Sequence, residues 1–326
     1  MKRSLLWCTA AMLSAGTFAT AQPPAPGAPA PAKDAHAAPK AKPPIYDEKA
    51  DAGAVIDAAI AKAARNNRRV LVQWGANWCP WCHLLHEAMG TDAALKHELS
   101  YEYDVVLVDV GRFDKNMDLA ARYGAELKKT GIPYLTVLDG AGKVIVNQES
   151  GALESKEPGK QEHDRAAVLK FLKANEAAPR AADDVLKDGL SRARTDGKLV
   201  FLHFGAPWCP WCHVLENWMD RPEVAPVLAK AFVDVKVDVD RDTGGKDVLA
   251  RFNAKGDQGI PWFVFLDDSG KTLASSTGPK GNIGYPSAPE EIDHFISMIR
   301  SAHAHLADGD VDTIADSLKK NAPKNH

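Results

Sequence analysis

The chain is poor in cysteine, in basic stretches and in long apolar runs. Each shortage reduces the number of functional classes to which the chain can belong. Its net charge is −3 and neither globular half carries a sustained basic stretch, so the charge gives no reason to expect a nucleic-acid partner. The N-terminal apolar run is short and interrupted by Ser and Thr, which argues against a membrane span. Only five residues are cysteine.

The N-terminus has the three parts of a secretory signal. Lys2 and Arg3 supply the positive region, residues 5–18 are mostly apolar, and Ala19-Thr20-Ala21 is a small-residue cleavage site. We therefore expect a signal peptide over residues 1–21, export to a periplasm, and no stable membrane insertion after cleavage. An uncleaved anchor is the alternative.

The rest of the chain is organised as a tether, two similar halves and a tail. Residues 22–44 are dominated by Pro and Ala, cannot bury a core, and should form an extended linker. The halves span residues 45–176 and 181–306 and share one order of helix and strand patterns. Residues 307–326 have the composition of a loosely ordered polar tail.

One hexapeptide, Trp-Cys-Pro-Trp-Cys-His, occurs at Trp78–His83 and again at Trp208–His213. Each copy follows an apolar, strand-like run, and an Ile-Pro pair follows each copy at Ile132-Pro133 and Ile260-Pro261. Once Cys8 leaves with the signal peptide, all remaining cysteines lie in these motifs. A pair that closes so short a loop adds little stability, so redox chemistry is the better reason for it.

This order of strand, Cys-x-x-Cys, helix and Ile-Pro resembles the thioredoxin fold over roughly Ile45–Ala174 and Ala181–Ala302. It is most similar to exported disulfide oxidoreductases with a His after the second Cys. The resemblance implies an α/β protein of two tandem thioredoxin-like domains, each with a central mixed sheet flanked by helices. It also implies a protein-disulfide oxidoreductase that needs no bound cofactor. Its partners would be protein thiol or disulfide substrates and an outside electron donor or acceptor, such as a membrane thiol–disulfide transporter.

By that resemblance Cys79 and Cys209 are the attacking cysteines, each at a helix N-terminus. Unsatisfied backbone N–H groups and the positive end of the helix dipole stabilise a thiolate there, which lowers its pKa. Cys82 and Cys212, one helical turn later, would attack the mixed disulfide and release the product.

The Ile-Pro pairs match the cis-proline that this family places beside its active site. A cis bond before Pro133 and Pro261 would keep a backbone edge free for an extended substrate segment, with Ile132 and Ile260 beside the sulfurs. A trans proline that opens a strand is the alternative.

Tryptophans flank the sulfurs in both copies, and we expect them to contact substrate. Trp78 and Trp208 would be partly exposed flanks, with core packing as the alternative. Trp81 and Trp211, between the cysteines, should be exposed.

Four further polar residues are candidates for tuning the cysteines. His83 and His213 would, as cations, favour nearby thiolates, unless they are ordinary solvated residues. Thioredoxin carries a buried Asp six residues before its first Cys, which assists proton transfer, whereas this chain has Gln73 and His203 there. Gln73 cannot titrate. We hypothesise that His203 shuttles protons in the second half, with polar packing of both residues as the alternative.

Other functions share parts of this pattern. Cys-x-x-Cys-His in an exported protein is also the attachment signature of c-type haem, which would make the chain a dihaem electron carrier. A zinc site would need the two distant Cys pairs to meet, so no metal ligands are assigned. A binding module that has lost turnover is a third alternative. The direction of electron flow stays open, with reductase or isomerase work favoured over disulfide donation.

Overall fold

The computed structural model describes residues 43–253 and 259–322. The predicted signal peptide at 1–21 and nearly all of the linker at 22–44 lie outside these residues. Among the described helices, none combines the length and apolarity that crossing a bilayer requires.

The first half alternates strands with helices that cover both faces of one sheet. In chain order its elements are α1 (Ala52–Asn66), β1 (Arg69–Gly75), α2 (Pro80–Thr91), α3 (Ala93–Glu102), β2 (Tyr103–Asp109), α4 (Met117–Arg122), α5 (Leu127–Thr130), β3 (Tyr134–Leu138), β4 (Val144–Glu149), a 3₁₀ turn (Ser150–Leu153) and α6 (Arg165–Ala174).

The sheet of the first half is mixed and runs in the order β2-β1-β3-β4. Strand β1 pairs parallel with β2 and antiparallel with β3, and β3 pairs antiparallel with β4. Because β1 is central and helices cover both faces, nearly all of its residues are buried, in agreement with its continuous apolar run. Ile56 and Trp74 lie in the core on the side of α1, and Leu71 and Leu85 lie in the core on the side of α2.

The second half repeats this plan and then extends it. Its elements are α7 (Ala182–Asp196), β5 (Leu199–Gly205), α8 (Pro210–Met219), α9 (Ala225–Ala231), β6 (Phe232–Asp238), α10 (Gly245–Phe252), β7 (Trp262–Leu266), β8 (Thr272–Ser275), β9 (Thr277–Gly278), β10 (Gly281–Asn282), α11 (Pro289–Ser301) and α12 (Asp308–Asn321).

The second sheet has the order β6-β5-β7-β8, with the same parallel and antiparallel pairings as the first. Strands β9 and β10 form a separate two-stranded ribbon. Both halves are thus mixed sheets flanked by helices, which confirms the predicted α/β class.

The segment after Ala307 is not the loosely ordered tail that its polarity predicts. It forms α12, whose Val311, Ile314 and Leu318 are buried in the core that α11 also lines. These three residues stand at i, i+3 and i+7, so a narrow apolar stripe is enough to dock an otherwise charged helix.

The two halves pack together within one compact unit that begins at Pro44. The Arg241 Nε atom donates to Glu102 Oε1 over 2.8 Å, and its Nη atoms donate to the carbonyl oxygens of Asn66 and Asn67 over 3.0 Å each. The Asn67 side chain donates to the carbonyl oxygen of Ala178 over 2.8 Å. The end of α1 is therefore fixed against the second half.

Candidate active sites

Each cysteine motif lies where a central strand ends and the next helix begins. Cys79 and Cys209 are the N-cap residues of α2 and α8, and a proline occupies the first turn of each helix. The Sγ atom of each N-cap cysteine accepts a hydrogen bond from the backbone N–H of Cys82 or Cys212 over 3.1 Å. The predicted placement of the attacking sulfurs at helix N-termini is found in both halves.

The cysteines of each motif are bonded to each other, as Cys79–Cys82 and Cys209–Cys212. All four residues are buried to at least 97 % of their surface. A disulfide within each Cys-x-x-Cys pair is the oxidised state of a thiol–disulfide exchange site.

Both Ile-Pro bonds lie beside the attacking sulfurs, and both are cis, as predicted. The Sγ atom of Cys79 is 3.6 Å from the carbonyl oxygen of Ile132, and that of Cys209 is 3.5 Å from the carbonyl oxygen of Ile260. The structure thus brings Pro133 and Pro261, which are far from the motifs in sequence, to the two disulfides.

Three of the four motif tryptophans are exposed, as expected: Trp78 by 45 %, Trp208 by 57 % and Trp211 by 49 %. Trp78 Nε1 donates to the carbonyl oxygen of Gly111 over 2.7 Å, and Trp208 Nε1 donates to Asp240 Oδ2 over 2.6 Å. Their rings are therefore held beside the sulfurs and not packed in a core.

Trp81 differs from its counterpart Trp211, and the expectation that it is exposed is wrong. It is only partly accessible, because the His163 ring lies edge-on to it with 5.4 Å between ring centroids. His163 belongs to the connection between the 3₁₀ turn and α6, where it forms a bridge with Glu154. The first half thus covers one side of its own motif.

His163 is a buried residue that the sequence did not point to. Neither of its ring nitrogens has a hydrogen-bond partner among the described residues. Burial lowers the pKa of His163 to about 4, since the charged ring would lose its solvent without gaining a partner. The ring is therefore neutral at physiological pH.

His83 and His213 occupy equivalent positions behind the two motifs. His83 Nε2 is 2.8 Å from the carbonyl oxygen of Asn77, and His213 Nε2 is 2.8 Å from that of Pro207. Because a carbonyl can only accept, Nε2 carries the proton in both rings. Each histidine therefore ties the helix to the loop that precedes the attacking cysteine.

Beneath the first disulfide a tyrosine and an amide contact each other, and the buried carboxylate of Asp109 acts on the tyrosine. Gln73 Nε2 donates to the hydroxyl of Tyr46 over 2.7 Å, and Tyr46 packs with Cys79 and Cys82. A Cβ on Gly75 would collide with the Tyr46 hydroxyl and lie 2.9 Å from Cys82 Sγ, so only glycine fits there. Burial raises the pKa of Tyr46 above its ordinary value, so its hydroxyl stays protonated.

Beneath the second disulfide the polar groups are ionisable. His203 is buried and its Nε2 atom is 2.9 Å from Asp234 Oδ1. The carboxylate of Glu216 forms an ion pair of 2.6 Å with Lys236. Sequence analysis missed this pair, although Glu216 stands four residues after Cys212, on the same face of the helix.

Two family models match the chain. Residues 56–161 match the family described as thioredoxin-like domain, and residues 165–318 match Thioredox_DsbH, described as a protein of unknown function, DUF255. Both halves are thioredoxin-like. With a disulfide at the N-terminus of a helix in each half, the chain is a thioredoxin-like protein-disulfide oxidoreductase.

Among solved structures, the disulphide isomerase from Xylella fastidiosa Temecula1 is 28 % identical over 40 % of this chain and 95 % of its own, with a TM-score of 0.35. The thioredoxin Deadhead from Drosophila melanogaster is 28 % identical over 30 % of this chain and 83 % of its own, with a TM-score of 0.23. A DsbH oxidoreductase is 21 % identical over 45 % of this chain and 94 % of its own, with a TM-score of 0.27. Since these TM-scores are low, the fold assignment rests on the family models and the strand order. No curated protein matches the chain.

Proposed function

We propose that this oxidoreductase is exported and that it reduces or isomerises disulfides in protein substrates. The observation that carries the exchange chemistry is the same in both halves: a disulfide at a helix N-terminus lies beside the carbonyl oxygen that precedes a cis-proline. Export rests on the signal pattern of residues 1–21. Exposed tryptophan rings next to each disulfide offer an apolar surface to a protein partner.

The reaction proceeds by two exchanges. The thiolate of Cys79 or Cys209 attacks one sulfur of a substrate disulfide, forms a mixed disulfide, and releases the other substrate sulfur as a thiol. Cys82 or Cys212 then attacks the mixed disulfide, which closes the enzyme disulfide and releases the second substrate thiol. The substrate gains two electrons and two protons, so turnover needs an outside thiol donor, for which a membrane thiol–disulfide transporter is our candidate.

An extended substrate segment has a place to bind in this scheme. It would lie along the backbone at Ile132-Pro133 or Ile260-Pro261, beside the attacking sulfur. Trp78 and Trp208 would hold it on one side. Trp211 would contact it in the second half, whereas His163 restricts access to Trp81 in the first.

Export is tested by the N-terminus of the purified protein. A cleaved signal predicts a mature chain that begins at Gln22 and is released from cells by osmotic shock. A chain that keeps Met1 and sediments with membranes would contradict export by a cleaved signal and support the anchored alternative.

The direction of electron flow is tested with disulfide-containing substrates and with a reduced substrate. We expect the reduced protein to cleave the disulfides of insulin and to restore activity to scrambled ribonuclease. Faster oxidation of fully reduced ribonuclease by the disulfide form would contradict the proposal and identify a disulfide donor. A Soret band in the purified protein would instead support the dihaem alternative.

A further inference from the structure

The second half holds an ion pair close to its resolving cysteine. Glu216 Oε1 and Lys236 Nζ are 2.6 Å apart, and their side chains are only 15 % and 10 % exposed. At the equivalent positions the first half has His86, which is exposed, and Leu107, which cannot carry charge. The pair therefore distinguishes the second site from the first.

Gly205, at the end of β5, separates the carboxylate from the sulfur without a side chain of its own. A Cβ at this position would lie 3.4 Å from Cys212 Sγ and 3.6 Å from Glu216 Oε1. Both atoms therefore border the space that the missing side chain would fill. Solvent in that space would connect them for proton transfer.

A residue of the first half also binds the lysine of this pair. Asn66, in the last turn of α1, is buried, and its Oδ1 atom accepts a hydrogen bond of 2.8 Å from Lys236 Nζ. Arg241 binds the carbonyl oxygen of the same residue over 3.0 Å and also pairs with Glu102, so the position of Asn66 is fixed across the interface. Lys236 is thus held between a carboxylate of its own half and an amide of the other half.

We infer that Glu216 accepts the proton of Cys212 during the resolving step, and that Asn66 of the first half positions the Lys236–Glu216 pair for this task. As the Cys212 sulfur attacks the mixed disulfide at Cys209, its S–H proton moves to the carboxylate and the substrate sulfur leaves as a thiolate, which solvent protonates. The second site is therefore complete only while the two halves are packed together. This inference rests on the thiol–disulfide exchange chemistry, but not on its direction.

Other charged groups surround the pair, and the histidine and the carboxylates among them are alternative acceptors for the proton of Cys212. The charged groups are His203 on β5, Asp234 and Asp238 on β6, Lys62 and Arg65 on α1, and Asp220 after α8. His203 is the one among them that sequence analysis proposed as a proton shuttle. Its Nε2 atom is bound to Asp234, whereas Glu216 Oε1 borders the same space as Cys212 Sγ, so we assign the proton transfer to Glu216.

The test separates attack from resolution in the full chain. Cys79→Ala and Cys82→Ala together silence the first site, and the reduced protein is mixed in a stopped-flow instrument with excess dithiobisnitrobenzoate. Attack by Cys209 releases the first coloured thiolate, and resolution by Cys212 releases the second. If the first release fails, the exchange chemistry itself is wrong; if only the second changes, the resolving step is at issue.

Glu216→Gln should slow the second release about tenfold or more at neutral pH and leave the first within about twofold. The rate of the second release should then rise in proportion to hydroxide, as for a thiol that ionises unaided. Asn66→Ala should slow the second release in the same way but less. Asn67→Gly is the matched control, because it removes the hydrogen bond to Ala178, in the connection between the halves, without touching Lys236. It also keeps a left-handed backbone (φ 50°) that glycine tolerates.

The inference is overturned if Glu216→Gln leaves the rate and pH profile of the second release unchanged, or if His203→Gln produces the change instead. An Asn66→Ala protein that behaves like Asn67→Gly would overturn the role of the first half. Since Glu216→Gln keeps the shape of the side chain, a normal first release also shows that the variant is folded.

Discussion

The two sites carry the same hexapeptide over different buried neighbours. Under the first disulfide lie a protonated tyrosine and an amide, Tyr46 and Gln73, whereas an acid and a cation, Glu216 and Lys236, lie under the second.

The surfaces of the two sites differ as well, since His163 covers part of Trp81 while Trp211 is exposed. A Cys-x-x-Cys motif therefore specifies the reaction, and its surroundings specify how protons and substrates reach it.

The largest effect should come from removing the attacking cysteines. Cys79→Ala and Cys209→Ala singly should each leave one working site, because each half carries its own disulfide. The double variant should lower the rate of insulin reduction by at least about a thousand-fold, as expected when a nucleophile is lost. If either single variant is as inactive as the double variant, the two sites work only as a relay and not independently.

The second prediction concerns stability at low pH in the first half. Because the pKa of His163 is lowered to about 4 in the folded chain, from about 6.5 unfolded, the unfolded chain takes up a proton first as pH falls. The stabilisation is present above about pH 6.5 and is lost progressively toward pH 4, by up to about 2 kcal/mol at pH 5.

His163→Phe should remove this loss, because it keeps a ring against Trp81 without a titratable nitrogen. Urea unfolding of both proteins at pH 7 and pH 5, followed by tryptophan fluorescence, measures the difference. Parallel losses of stability in the two proteins would show that the His163 ring is not responsible.

The third prediction compares the tryptophans between the cysteines. Trp211→Ala should lower kcat/KM for a protein substrate about tenfold at the second site, since an exposed ring can be buried against a partner. Trp81→Ala should lower kcat/KM about threefold at the first site, because His163 already occupies one side of that ring. Each variant is measured with the other cysteine pair changed to Ala, and equal losses would contradict the proposed difference in access.

The smallest effect should come from the tyrosine beneath the first disulfide. Tyr46→Phe removes the hydrogen bond from Gln73 and should lower the free energy of unfolding by about 1 kcal/mol. It should leave the pH dependence of the first site unchanged, because burial raises the pKa of Tyr46 and keeps its hydroxyl protonated. A shifted pH–rate profile would show that Tyr46 takes part in proton transfer.

Much of the fold could be predicted because its signals are local or repeated. The apolar runs before each motif form strands β1 and β5, and the two Ile-Pro pairs lie beside the disulfides. Helix α12 was missed because its apolar residues are few and its charges dominate the composition.

The parts of the sites that escaped prediction depend on contacts between distant residues. The approach of Tyr46 to Gly75 and of His163 to Trp81 joins segments that no local pattern relates. Lys236 alternates with valines along β6, a pattern typical of a solvent-facing residue, and only packing of α1 and α8 on that strand turns it inward. The attacking and resolving roles of the cysteines, and the substrate contacts of the tryptophans, stay predictions.

The measurement that tests this comparison most directly is a redox titration of each site in the full chain, with the other cysteine pair changed to Ala and tryptophan fluorescence as the readout. The Glu216–Lys236 ion pair has no counterpart at the first site, so it should alter the stability of the thiolate form at the second site. We predict two midpoints at least about 30 mV apart, which is a tenfold difference in the equilibrium constant. Coincident midpoints would contradict the account, because the buried neighbours of the two disulfides would then leave their chemistry the same.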